Sequence, residues 1–293
     1  MQSQLAGLPI IKPFIKTINS DVKKFGLQKA MMNTVIRSGT NLIVKGKSSK
    51  VEHVLKNEAV VLVANHPHEV DIIALFAALS PREDTSLIIS FRFMNLVPHA
   101  DPYLIPVYTE HHAIKAGEEK LKRKFFRKLH NVPTFSPEEE HKKNIESIKF
   151  ASEKVERGEM VVIFPNPSKD QRRSWYSGVG HMLHGVNRRK KVYVVKAYIE
   201  GTSNFDYLRL FPHAAKLLTP IKVTFSQPQN VETILKNDPK EITRILEDDY
   251  RKWEEKVSSK PRELPELLKA PVLLRTKFAP LFVERFFERK TNW

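Results

Sequence analysis

The sequence predicts an α/β fold: a largely parallel central sheet flanked by helices, with an N-terminal amphipathic helical hairpin. Three observations predict it. Short apolar runs of strand length recur at 60–64, 86–91, 103–108, 160–164, 192–199 and 221–225. Helical periodicity lies between several of them, at 71–79 and 138–157, and such alternation marks strands joined by crossover helices. Hydrophobic residues make up 41% of 293 positions, enough for a sizeable core.

The hairpin comes first. Leu8, Ile10, Ile11, Phe14, Ile15 and Ile18, then Phe25, Leu27, Met31, Met32, Val35 and Ile36, recur at helical spacing, with Asn19 or Ser20 as the expected N-cap between them. The first fifty residues hold nine Lys and Arg against one acid, Asp21. A basic hairpin with an apolar face either docks on a core or lies in a membrane interface. Residues 1–40 are expected to be a membrane-interface segment, ahead of an α/β domain over 41–293. In that domain the helix over 138–157 puts Ile145, Ile148, Ala151, Ser152 and Val155 on one face and stops at Gly158. A polar-faced helix is expected over 239–257. Between 110 and 140 the pattern breaks. There 115–128 carries seven Lys and Arg against Glu118 and Glu119, with Phe125, Phe126 and Leu129 among or beside them, and reads as an insertion at the sheet's rim.

Composition narrows the function classes. The formal net charge of +16 calls for an anionic partner. Charge is the sole support for nucleic acid, because no recognition helix, zinc finger or RNP pattern accompanies it, so no nucleic-acid partner is expected. Cysteine is absent, which excludes disulfides, thiolate metal sites and a Cys nucleophile. No run approaches the roughly 20 apolar residues of a spanning helix, and the N-terminus lacks the order of a secretory signal. The expectation is a peripheral protein on one membrane face, or a soluble one.

The chemistry concentrates at two turns. Asn65-His66-Pro67-His68-Glu69-Val70-Asp71 follows an apolar strand and opens a helix. In open α/β sheets the carboxyl ends of strands are where ligands bind. Asp71, in the first helical turn, can fold back on the His66 imidazole and raise the basicity of its other nitrogen. The same residues permit a metal reading, in which His66, His68 and Asp71 serve a metal-dependent hydrolase and His181 and His184 supply further imidazoles. The second turn, Asn166-Pro167-Ser168-Lys169-Asp170-Gln171-Arg172-Arg173, follows the strand at 160–164. Lys169, Arg172 and Arg173, with Ser168 and backbone N–H groups, suit a phosphate cradle.

Together these stretches resemble the 1-acylglycerol-3-phosphate acyltransferase superfamily. Asn65, His66 and Asp71 match its Asn-His-x4-Asp motif. Phe164-Pro165-Asn166-Pro167-Ser168-Lys169 stands where the family has Phe-Pro-Glu-Gly-Thr-Arg. Gly178 meets its glycine before a helix, and 192–201 approximates its fourth motif without the central Pro. The resemblance covers about 42–227. Asn166 replaces the family's Glu, Lys169 its Arg, and 105–110 lacks the Arg of the second motif. Lys keeps the charge but not the bidentate fork.

The resemblance implies a direct transfer. His66 takes the proton from an acceptor hydroxyl as it attacks an acyl thioester, and Asp71 steadies the imidazolium. Backbone N–H groups near the turns stabilise the oxyanion. Asn65, Asn166, Ser168, Lys169, Arg172 and Arg173 are the expected substrate-binding residues. Acyl-coenzyme A or acyl carrier protein is the expected donor, and a lipid such as a lysophospholipid the acceptor. Neither cofactor nor metal is expected, though a non-catalytic family member stays open as an alternative. Val272, Leu273, Leu274, Phe278, Leu281, Phe282, Val283, Phe286 and Phe287 alternate with Arg275, Lys277, Arg285, Arg289 and Lys290. With the hairpin, this favours an anionic membrane surface as partner and the cytoplasmic side of a membrane as location.

Overall fold

The structure is a computed structural model, and it describes residues 12–66, 68, 70–108, 135–166, 173–187, 190–203, 206, 209 and 214–259. The chain forms two compact units, 1–254 and 255–293; of the second, residues 255–259 are described. The insertion over 115–128 and the basic, aromatic C-terminal stretch lie outside the described residues.

Among the described residues the first unit holds an eight-stranded sheet. Its strands are β1 (Leu42–Lys45), β2 (Ala59–Ala64), β3 (Thr85–Ser90), β4 (Leu104–Val107), β5 (Met160–Ile163), β6 (Val192–Glu200), β7 (Ile221–Phe225) and β8 (Gln229–Asn230). The order is β1-β7-β6-β2-β5-β3-β4, with β8 beside the start of β6. Strands β2 to β6 run in one direction. β7 is antiparallel to β6, and β1 is parallel to β7. The sheet is therefore largely parallel, as the wholly apolar central strands β2 and β5 predict. Every residue of β2 is buried. Val60, Leu62 and Ala64 enter one core, and Ala59, Val61 and Val63 the other, the period-2 alternation of a strand covered on both faces.

Helices α1 (Lys12–Phe25), α2 (Leu27–Ser38), α3 (Ser49–Asn57) and α4 (Val70–Ala78) contribute to the first core. Helices α5 (Pro137–Glu156), α6 (Gly178–His184) and α7 (Pro239–Val257) contribute to the second. The N-terminal hairpin is real, but its break is not at Asn19 or Ser20. α1 runs through both, and the Asn19 amide oxygen instead accepts the His99 backbone N–H at 2.9 Å. The chain breaks at Gly26, whose φ of 77° is open to glycine at little cost. Ile15, Ile18, Val22, Leu27, Ala30, Met31 and Val35 are buried, so most of the hairpin's apolar stripe is spent on the protein's own interior.

Helix α5 starts at a capping box: Glu139 N–H donates to Ser136 Oγ at 3.2 Å, and Ser136 N–H to Glu139 Oε2 at 2.8 Å. Its inward face carries Ile148, Ala151, Ser152 and Val155 as expected, but not Ile145. Ile145 is 55% exposed. Asn144 takes the inward place at that turn, exchanging two hydrogen bonds of 2.7 Å with the Tyr108 backbone beyond β4.

Three elements, β1, α3 and the two-residue β8, have no counterpart in the sequence reading. β1 is an edge strand with three of four residues exposed, and α3 is short and polar. α3 carries Glu52, which meets Lys47 at 3.0 Å and Lys56 at 2.9 Å and accepts from Ser80. Burial alone would raise this carboxyl, but the bonds from Ser80, Lys56 and Lys47 outweigh it and hold the pKa at about 2. A carboxyl depressed in the folded state stabilises above its unfolded value of 4.5 and loses that contribution as pH falls towards 2. Solvent screening at this partly exposed cluster limits the effect, so Glu52→Gln is expected to cost about 1 kcal/mol at neutral pH. Urea unfolding of both proteins should show the difference shrinking as pH is lowered from about 5 to about 2.

Candidate active site

The connections of the sheet define where a ligand belongs. β2 leads through residues 65–69 into α4, in the first core, and on to β3. β5, the neighbour of β2, leads through residues 164–177 into α6, in the second core, and on to β6. Two adjacent strands thus send their chains to opposite faces. Their carboxyl ends flank a topological switch point, the usual crevice for ligands in open α/β sheets.

Asn65 is where β2 leaves the sheet. Its side-chain amide imitates a peptide group: Nδ2 donates to Ile199 O at 2.8 Å, and Oδ1 accepts from Ile199 N at 2.7 Å. The backbone N–H of Asn65 turns to the Tyr250 hydroxyl at 3.1 Å. The ladder with β6 is therefore continued by a side chain while the main chain departs, and the next residue is His66. An amide supplies donor and acceptor on separate atoms, and a carboxylate supplies acceptors alone. Asn65→Asp faces a carbonyl with a carboxylate and is expected to lose about 2–3 kcal/mol, more than Asn65→Ser. Chemical denaturation of the two variants checks the order.

Asp71 is fully buried, and its Oδ2 lies 3.5 Å from His66 Nδ1. The same oxygen accepts the His68 backbone N–H at 2.6 Å. Its place in the first turn of α4 also sets a negative charge at the positive end of the helix. With Nδ1 turned to the carboxylate, the Nε2 atom of His66 is the one left to exchange a proton. The imidazole stacks on Phe164, with ring centroids 4.5 Å apart and planes at 28°. The two turns therefore touch through a ring stack.

The second turn is closed at its base. Tyr176 N–H donates to Pro165 O at 3.1 Å, and Asn166 Nδ2 donates to Arg173 O at 3.0 Å. Asn166 is 3% exposed and Arg173 is exposed. Ser168, Lys169 and Arg172 lie outside the described residues. His181 and His184 are on α6, in the opposite core from α4, and His184 Nδ1 is 3.0 Å from Asn237 O. Among the described residues no three His, Asp or Glu side chains converge as metal ligands do.

Several residues that build the site have roles that no motif discloses. Phe164 sits inside a motif, yet its role as a stacking partner is visible only in three dimensions. Tyr250, Glu247 and Arg251 come from α7, on which Ile242, Leu246 and Tyr250 follow helical spacing and read as ordinary core. Their heavy involvement at the two turns has no local sequence signal.

The architecture is that of an open α/β protein with a His–Asp pair at its switch point. No known family's profile matches the chain, and no curated protein matches it either. Among solved structures it is similar to the 1-acyl-sn-glycerophosphate (LPA) acyltransferase PlsC from Thermotoga maritima. The identity is 14%, the match covers 87% of this chain and 94% of that one, and the TM-score is 0.46. No helix among the described residues is long and apolar enough to cross a membrane.

Proposed function

We propose that this protein is an O-acyltransferase that moves an acyl group from acyl-coenzyme A or acyl carrier protein to a hydroxyl of a glycerolipid-type acceptor such as a lysophospholipid. The observation that carries the reading is the His66–Asp71 pair, set at the carboxyl end of β2 with Asp71 wholly buried. Nε2 of His66 accepts the proton of the acceptor hydroxyl as its oxygen attacks the thioester carbonyl. The C–S bond breaks as the tetrahedral oxyanion collapses, and the thiolate leaves with the proton held by the imidazolium. Asp71 stabilises that cation and fixes the ring. No acyl-enzyme forms. Backbone N–H groups near the two turns are the natural donors to the oxyanion, and Lys169, Arg172 and Arg173 are the cations for an anionic acceptor.

Transfer from palmitoyl-coenzyme A to a panel of lysophosphatidate, other lysophospholipids, glycolipids and simple alcohols tests this, with thiol release and lipid mass spectrometry as readouts. Thiol release matched by acylated lipid supports the reading. Thiol release without an acylated product, or none at all with either donor, overturns it. The altered second turn makes lysophosphatidate a poor acceptor, and exclusive use of it with Lys169→Ala unimpaired would contradict that part.

The proposed site of action is the cytoplasmic face of a membrane, reached peripherally. Lys12, Lys16, Lys23, Lys24, Lys29 and Arg37 are exposed on α1 and α2 beside exposed Phe25 and Ile36, while the apolar stripe is buried. Attraction to anionic lipid is then mainly electrostatic, roughly 1 kcal/mol per basic residue near the surface. Co-sedimentation with vesicles rich in phosphatidylserine is expected at low salt and lost near 0.5 M salt, where the Debye length is short and the attraction is screened. A Lys16→Glu, Lys23→Glu, Lys24→Glu triple variant should stay in the supernatant.

A further inference from the structure

Helix α7 meets both turns of the candidate site within little more than one helical turn of its own length. The Tyr250 hydroxyl accepts from Asn65 N–H at 3.1 Å and donates to Ala197 O at 2.8 Å. The direction is fixed, because a backbone N–H can only donate and a phenol carries one hydrogen. Tyr250 therefore bridges the last residues of β2 and the middle of β6 immediately before His66. Burial pushes this phenol well above its ordinary pKa, so it stays neutral and keeps its donor at any working pH. Its ring lies 5.3 Å from the Trp175 ring and 5.6 Å from that of Trp253.

One position away, the contacts pass to the second turn. Arg251 Nη2 donates to Arg173 O at 3.0 Å, the same carbonyl that Asn166 holds. Glu247 Oε2 accepts the Trp175 N–H at 3.0 Å, and its Oε1 is gripped by Arg251. Lys196 of β6 ties the same helix to the sheet through Asp249 at 2.6 Å. These contacts span 185 residues of sequence in the case of Asn65.

We infer that α7 is a common brace for the two turns, with Tyr250 a positioning residue for His66 and Arg251 a positioning residue for the anion-binding turn. A turn that has left its sheet has no ladder to hold it, and an error of about 1 Å at a reacting group can cost on the order of 100-fold in rate. Tyr250 supplies the missing anchor at the strand's end. Arg251 and Glu247 do the same at Arg173 and Trp175, ahead of α6. The two act on different steps: Tyr250 on the base that takes the proton, Arg251 on the grip of the substrate.

The inference rests on the acyltransferase reading for its kinetics and not for its mechanics, so the test has two arms. The first is amide hydrogen exchange by mass spectrometry on the full chain. Tyr250→Phe is expected to speed exchange in peptides covering 65–75 at least tenfold, and Arg251→Gln in peptides covering 173–177, with 85–90 unchanged in both. The second arm is thiol release from palmitoyl-coenzyme A with lysophosphatidylglycerol. Tyr250→Phe should lower kcat about tenfold with KM within twofold, whereas Arg251→Gln should raise KM severalfold with kcat retained. Unchanged exchange at 65–75 overturns the brace. Faster exchange with wild-type kcat overturns the positioning role and leaves a merely structural one. A wild-type protein inert on every donor and acceptor overturns the acyltransferase reading instead, and the exchange arm still decides the brace.

Discussion

On the proposed mechanism, His66→Ala is expected to lose acyl transfer by about 10²–10⁴-fold, the range a positioned general base contributes, while its thermal midpoint stays close to wild type. The imidazole is 18% exposed at the rim and one face rests on Phe164, so its removal opens no cavity in either core. Asp71→Asn keeps a low residual rate, because the ring survives without the charge that steadies its cationic form. That variant also retains an oxygen for the His68 N–H, whereas Asp71→Ala orphans a buried donor and costs a further 1–3 kcal/mol or so of stability. His68→Ala is the decisive control. What His68 gives to Asp71 is its backbone N–H, which alanine also has, so the rate should be nearly unchanged. A dead His68→Ala beside an active His66→Ala would favour metal chemistry at this turn. Steady-state turnover and differential scanning fluorimetry on the four variants separate these outcomes.

What the sequence discloses here follows contact distance along the chain. The β2–His66–Asp71–α4 unit is contiguous, and strand, turn and helix each write their own period, so the dyad is legible to the residue. β5 is legible for the same reason. The break in the hairpin is not, since Asn19 and Ser20 look like caps until the long-range bond from Asn19 to His99 shows how the asparagine is used. Ile145 misleads because Asn144 outcompetes it for the inward place through two backbone bonds that periodicity cannot weigh. β1 is exposed and only four residues long, too short a run to stand apart from the hairpin before it. The role of Asn65 is partly legible: a motif names it, but its amide serves β6 through Ile199, 134 residues away. Tyr250 is the extreme case. Its ring belongs to the apolar stripe of α7 and its hydroxyl belongs to the site, and the stripe is all that one-dimensional spacing reveals.

Glycine at the second turn makes the sharpest quantitative contrast. Gly178 is the residue a motif comparison selects, yet a Cβ there would meet only Ile148 Cδ1 at 3.5 Å, an ordinary contact. Gly180, two residues on, is the sterically required one. A Cβ there would overlap the Pro239 carbonyl oxygen and the Thr243 hydroxyl. Those atoms cannot step aside cheaply, because Thr243 Oγ1 already donates to Pro239 O at 2.8 Å and the carbonyl belongs to the first turn of α7. Relief therefore requires moving α7 as a body, and α7 carries Glu247, Tyr250 and Arg251 to the two turns. Overpacking at such a contact costs about 3 kcal/mol, which for a protein of this size is a drop of about 6–12 °C in the thermal midpoint. Gly178→Ala, by contrast, replaces a helical glycine without a clash and should be neutral or stabilising by about 0.5 kcal/mol. Thermal unfolding of the two single variants side by side tests the close approach of α6 to α7. Equal midpoints would mean the helices are farther apart than this contact requires. A destabilised Gly180→Ala that also loses turnover below its midpoint would tie the packing of α6 against α7 to the geometry at His66.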